Sequence, residues 1–146
     1  MKVIIAVVLA LSPAIAWPAS SGSSCRAWTQ EIIAGEADAC SDLCPQAKTF
    51  DHYDYRQGIT AAFQTKNGLA IFLGYLDRST IMGAGAEAHA CSVRSLLEHW
   101  GDKAFAQILR RQTAGSRQQA IGLIDYTALP KFKQRFPETY LLASHE

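Results

Sequence analysis

Acid–base chemistry needs carboxylates and imidazoles held close together, and two stretches of this chain offer them. Asp51, His52 and Asp54 fall within four residues just ahead of an apolar helical pattern, where a carboxylate can orient an imidazole for general-base work. The same trio serves a surface turn or a helix cap equally well, and spacing assigns no nucleophile to it. Glu31 and Glu36, followed by Asp38, match in type the two carboxylates of a wall-degrading glycosidase, whose separation in space decides the mechanism. Any helical protein carries such acids. No Gly-x-Ser-x-Gly elbow, Ser-x-x-Lys or His-Glu-x-x-His string supports hydrolysis by another route.

The string Gly83-Ala84-Gly85-Ala86-Glu87-Ala88-His89 resembles a phosphate loop only superficially, because the Gly-Lys-Ser/Thr that meets phosphate and magnesium is missing. Glu87 and His89 lie about 200° apart around a helix, so they do not grip one metal. A glycine hinge with Glu87 near a positive helix start explains the string. His99, between Glu98 and Trp100, reads as a rim residue. The residues imply no metal and no cofactor.

Cys25, Cys40, Cys44 and Cys91 are an even set, for which two disulfides are the default and three pairings are open. A bridge between Cys40 and Cys44 within one helical turn lies near the edge of allowed Cα separations, so the expectation leans to Cys25–Cys44 with Cys40–Cys91, or the swapped alternative. Cys-x-x-x-Cys with His52 nearby is looser than the paired spacings of structural zinc, and the Cys-x-x-Cys of thiol exchange is absent.

The disulfide reading depends on the address. Lys2, the apolar run Val3–Leu11 and the small-x-small pattern Ala14-Ile15-Ala16 predict a signal peptide over residues 1–16. The apolar run falls short of the roughly 20 residues a bilayer requires. The expectation is therefore a periplasmic or secreted protein with no membrane span in the mature chain. Of 14 basic and 13 acidic residues, Lys2 leaves with the signal, so the remaining charge balances. Balance without a basic excess argues against nucleic-acid binding, which draws on counterion release.

Residues 17–24 are rich in Ser, Pro and Gly and read as a flexible leader, with a single helical domain over 25–146. A helix is predicted from Arg26 to about Ala39, with Trp28 and Ile32 inward, and Pro45 is expected to turn the chain. Tyr55, Ile59, Ala62 and Phe63 recur at helical spacing, with Gly58 a weakness unless packing needs its space. Asn67 is the expected cap of a helix burying Leu69, Phe72, Leu73 and Leu76, its stripe widened by Ile71 and Tyr75. A strand is the competing reading of residues 69–76.

Ala86, Ala90, Val93, Leu97 and Trp100 mark the clearest helix. Gly101 is its expected cap, and Asp102 the cap of a helix that buries Phe105, Ile108 and Leu109. Gly115 breaks that run, and Ser116 with Gln119 matches a capping box ahead of Ala120, Ile121 and Ile124. Pro130 stops this helix and Pro137 opens a last one.

Phe132, Arg135, Phe136 and Tyr140 make an aromatic and basic segment that suits either a docking surface or a closing helix. No window alternates as strands do. The chain is expected to be all-α, an irregular bundle of six or seven short helices stabilised by disulfides. The functional expectation is a non-enzymatic binding protein, an inhibitor, immunity-like or accessory factor for another exported protein. A small envelope hydrolase using Glu31, Glu36, Asp51, His52 or Asp54 is the rival, and a carrier of a small apolar ligand comes third.

Overall fold

The computed structural model describes residues 21–143, so the predicted signal peptide, residues 17–20 of the leader and the last three residues lie outside it. The described chain is all-α: α1 (Ser21–Ala34), α2 (Leu43–Phe50), α3 (Tyr55–Gln64), α4 (Lys66–Tyr75), α5 (Ala84–Trp100), α6 (Asp102–Leu109), α7 (Ala114–Tyr126), α8 (Phe132–Arg135) and α9 (Pro137–Leu141). Two 3₁₀ turns, Asp38–Cys40 and Leu76–Arg78, lead into α2 and out of α4. None of the described helices is long and apolar enough to cross a membrane.

The strongest sequence pattern becomes the axis of the bundle. α5 packs against α1, α2, α3, α6 and α7, and every residue from Ala88 to Leu97 is buried. Burial all round exceeds the single apolar stripe, so α5 must satisfy polar side chains inside the core. Ser92 Oγ donates to Ala88 O at 2.9 Å, and Ser95 Oγ meets Thr29 Oγ1 of α1 at 3.0 Å. Arg94, only 1 % exposed, places Nε 3.3 Å from Glu98 Oε1 and sends Nη1 to Thr127 O at 3.4 Å. A buried cation needs this partner, since losing one member of such a pair strands the other away from water.

Several boundaries differ from expectation, each for a local reason. α1 begins at Ser21, inside the stretch read as leader, and ends at Ala34 because Gly35 takes φ 87°, a conformation that terminates a helix. Pro45 does not turn the chain but sits in the first turn of α2, where its missing N–H breaks no helical bond. Thr65, not Asn67, caps α4: its Oγ1 accepts from Gly68 N at 2.9 Å, leaving one residue between α3 and α4. Thr113, not Ser116, caps α7 and receives Ser116 N at 3.0 Å. Gly101 takes φ 75° as expected, but Asp102 is the first residue of α6 and turns its carboxylate to Glu138 N and Thr139 N, both at 2.8 Å. It thereby caps α9.

The cysteine pairing also needs correction. Cys25 pairs with Cys91 and Cys40 with Cys44. The objection to Cys40–Cys44 assumed a continuous helix. Instead Cys40 ends a 3₁₀ turn and Cys44 lies in the first turn of α2, and their Cα atoms are 5.3 Å apart, well inside the range a disulfide accepts. The long-range bridge ties α1 to the central helix, and the pair suggests an oxidising compartment.

Candidate functional site

Residues 51–54 join α2 to α3, and the structure separates the three candidates found there. α2 ends when Asp51 N and Tyr53 N both donate to Ala47 O, at 3.1 and 3.0 Å, which forces His52 between them into the left-handed region at φ 52°. A residue with a β-carbon pays about 1–2 kcal/mol for that conformation. Asp54 caps α3 by accepting from Gln57 N at 3.0 Å. Alternation of direction along these residues sends Asp51 inward and leaves His52 and Asp54 exposed.

Asp51 anchors a polar network inside the bundle. Its Oδ2 accepts from Tyr75 Oη at 2.5 Å, and Oδ1 accepts from Thr80 Oγ1 at 2.6 Å and Thr80 N at 3.1 Å. Ser79 Oγ donates to Tyr75 Oη at 3.3 Å and stands 3.5 Å from His89 Nε2, while His89 Nδ1 lies 2.8 Å from Tyr55 Oη. Tyr53 stacks on Tyr75 with centroids 3.8 Å apart, and Arg78 lies over both rings while donating from Nη1 to Asp51 O at 2.8 Å. Gly58 is required by this stack, because a β-carbon there would collide with Tyr53 Oη.

The electrostatics follow from this enclosure. Burial alone raises the Asp51 carboxyl, but hydrogen bonds from Thr80 and Tyr75, with Arg78 nearby, outweigh it and hold Asp51 below the usual carboxylate range. Burial drives His89 down to about 4 despite the charge of Asp51, so the imidazole is neutral at neutral pH. Tyr53 is pushed up to about 12 by burial, and Tyr55 and Tyr75 are raised by the same cause, with Asp51 adding to the effect at Tyr75. Ser79 and His89 supply the elements of a nucleophile and base, yet their separation is long for proton transfer and the imidazole is only 3 % exposed.

On the outer side of the same connection lies an open groove of about 960 Å³ between α1, α2 and α3. Lys48, His52, Asp54, Arg56 and Gln57 line it with Tyr53 and Tyr55, and Ile33 and Ala61 give it apolar wall. Arg56 is braced across it, Nε donating to Ile32 O at 2.9 Å. Tyr53 Oη, on a residue that lines it, is buried with no hydrogen-bond partner among the described residues. Asp51 does not line this groove, although its neighbour His52 does.

The remaining candidates lie elsewhere. Glu31 and Glu36 are exposed near the end of α1, and neither lines the groove. Phe132 and Phe136 are buried, with Tyr140 edge-on to Phe132 at 5.4 Å, so these rings are spent on packing. Arg135 is exposed, over the Phe136 ring and 4.0 Å from Glu98. Glu87 is exposed, whereas His89 belongs to the buried network. Sequence reasoning missed Tyr75 and Thr80 as partners of Asp51, and Tyr55 and Ser79 as partners of His89. Their hydroxyls stood among apolar or loop residues, and only the fold brings them together. Compared with known proteins, the chain matches no family model, no curated protein and no solved structure.

Proposed function

We propose that this chain is an exported, non-enzymatic binding protein that holds an extended segment of another exported protein in the groove between α1, α2 and α3. The groove itself carries the reading: about 960 Å³ of open space faced by charged, amide and aromatic groups, a mixture suited to a peptide. The groups beneath it that are equipped for chemistry, Asp51, Tyr75 and His89, bond to their neighbours and are nearly inaccessible. A rigid floor lowers the ordering cost of binding. His52 adds support, since it is the positive-φ non-glycine residue that stands on the groove lining, whereas Ala128 and Lys131 lie away from it, and strain of this kind is a feature of binding sites.

The test is affinity capture of the oxidised protein from envelope extract, run beside Lys48→Glu and His52→Gly. A partner recovered with the parent protein and lost with both variants is the expected outcome. His52→Gly should leave stability unchanged or raise it by up to about 1 kcal/mol in urea denaturation, because glycine relieves the left-handed strain. A partner that survives both changes, or wall-lytic activity that disappears on replacing Glu31 or Glu36, sinks the reading in favour of the hydrolase.

A further inference from the structure

A second groove, of about 430 Å³, runs between α4 and α6 and is lined by Lys66, Asn67, Ala70, Gln107, Ile108 and Arg111, with Gln112 closing one end. Its polar groups are two cations and three carboxamides. Lys103, Gln107, Arg110 and Arg111 follow one another at helical offsets along the exposed side of α6 and its end, so positive charge continues beyond the groove in both directions. Among the described residues, no carboxylate lies within ion-pair distance of Lys66, Lys103, Arg110 or Arg111. The acids nearest in sequence are engaged elsewhere: Asp102 accepts from the start of α9, and Asp77 Oδ2 accepts from Thr113 Oγ1 at 2.9 Å.

Ile71 completes the surface. It lies one helical turn from Asn67 on α4 and is 59 % exposed, against the expectation from its place in an apolar run. An exposed aliphatic side chain beside a basic, amide-lined groove is a mixed surface with an apolar anchor and a charged rim.

We propose that this groove is a docking site for an acidic peptide segment of a protein partner, one that alternates carboxylates with an aliphatic side chain. Charge complementarity selects the acid: Lys66 on one wall and Arg111 on the other face carboxylates on either side of an extended chain. The carboxamides select the peptide. Asn67, Gln107 and Gln112 each carry a donor and an acceptor, which a main-chain amide pairs with in full. A phosphate polymer offers no donor and leaves the amide oxygens to water. Ile71 and Ile108 receive the aliphatic residue. This surface shares no lining residue with the groove of Lys48 and His52, so each stands or falls separately.

The experiment is fluorescence anisotropy with a labelled ten-residue peptide alternating glutamate and leucine, read against a lysine–leucine peptide, heparin and anionic phosphatidylglycerol vesicles. The expected result is saturable binding of the glutamate peptide that falls at least tenfold in Lys66→Glu and in Arg111→Glu, and falls on Ile71→Ser. All three changes are at exposed positions, and circular dichroism confirms that the variants keep their helices. Absence of binding, binding indifferent to Lys66→Glu and Arg111→Glu, or tighter binding of heparin or vesicles than of the peptide overturns the proposal.

Discussion

The network around Asp51 and the groove between α4 and α6 both gather polar side chains, and they use polarity in opposite ways. Around Asp51, Tyr75 and Thr80 donate to one buried carboxylate, and His89 has a partner at each ring nitrogen. Along α6 and just past its end, Lys103, Arg110 and Arg111 face water, and no acid among the described residues meets them. Saturated polar groups fix a structure, because each has lost water and depends on its neighbour. Unsaturated exposed ones cost the fold little and stay available. Under the proposed binding role, recognition would draw on the second kind, while the hydrogen bonds of Asp51 and His89 serve the first.

This contrast is sharpened by removing covalent and polar ties from the interior. Replacing Cys25 and Cys91 together by serine should cost about 4 kcal/mol in the chain-entropy model, against about 2 kcal/mol for Cys40 with Cys44, because the closed loops span 66 and 4 residues of separation. Urea denaturation of the two double variants checks the ranking. Asp51→Ala should cost about 3 kcal/mol by the same measurement, since it leaves Tyr75 Oη and the Thr80 donors without their acceptor.

His89 carries the comparison into pH. Its folded value of about 4 lies below the ordinary 6.5, so the unfolded chain binds more protons in the interval between them. Stability must therefore fall as pH drops from about 6.5 to about 4, by up to roughly 3 kcal/mol from this group. Asp51, also depressed, adds a further loss at lower pH as its own carboxylate is protonated. His89→Asn should flatten the first interval while leaving the second, as read by thermal melts across pH. At the small end of the scale, Lys66→Glu and Arg111→Glu should shift stability by no more than about 0.5 kcal/mol. A large loss there would erase the distinction between the two regions.

Much of the fold was legible because periodicity and caps agree. Ala90, Val93 and Leu97 announced α5, and Gly101 and Pro137 marked boundaries that the structure keeps. The misplaced caps have a common cause: two polar residues competed at each helix start, and the true cap was the one whose backbone was extended, Thr65 over Asn67 and Thr113 over Ser116. Ile71 was expected inside because α4 is apolar around most of its circumference, and periodicity alone does not say which side meets a neighbour. Arg94 was not foreseen in the core, although Glu98 four residues on is the pairing that makes it tolerable.

The candidate site was legible only in part. Asp51, His52 and Asp54 drew attention as acids and a base in one turn, but one carboxylate serves the interior, the other caps a helix, and only the imidazole and Asp54 reach the groove. Partners from residues 75 to 89 are set by tertiary contact and leave no mark in local spacing. The groove between α4 and α6 was hidden for a related reason. A balanced overall charge conceals a face on which one sign prevails.

The two sulfur bridges also differ in what they ask of the chain. Cys40 and Cys44 meet through local structure alone, four residues apart, whereas Cys25 and Cys91 meet only where α1 packs on α5. With the local pair joined, the two remaining cysteines of the four have a single pairing left to them, which is the one the fold holds. The smaller ring thereby narrows three possible connectivities to one.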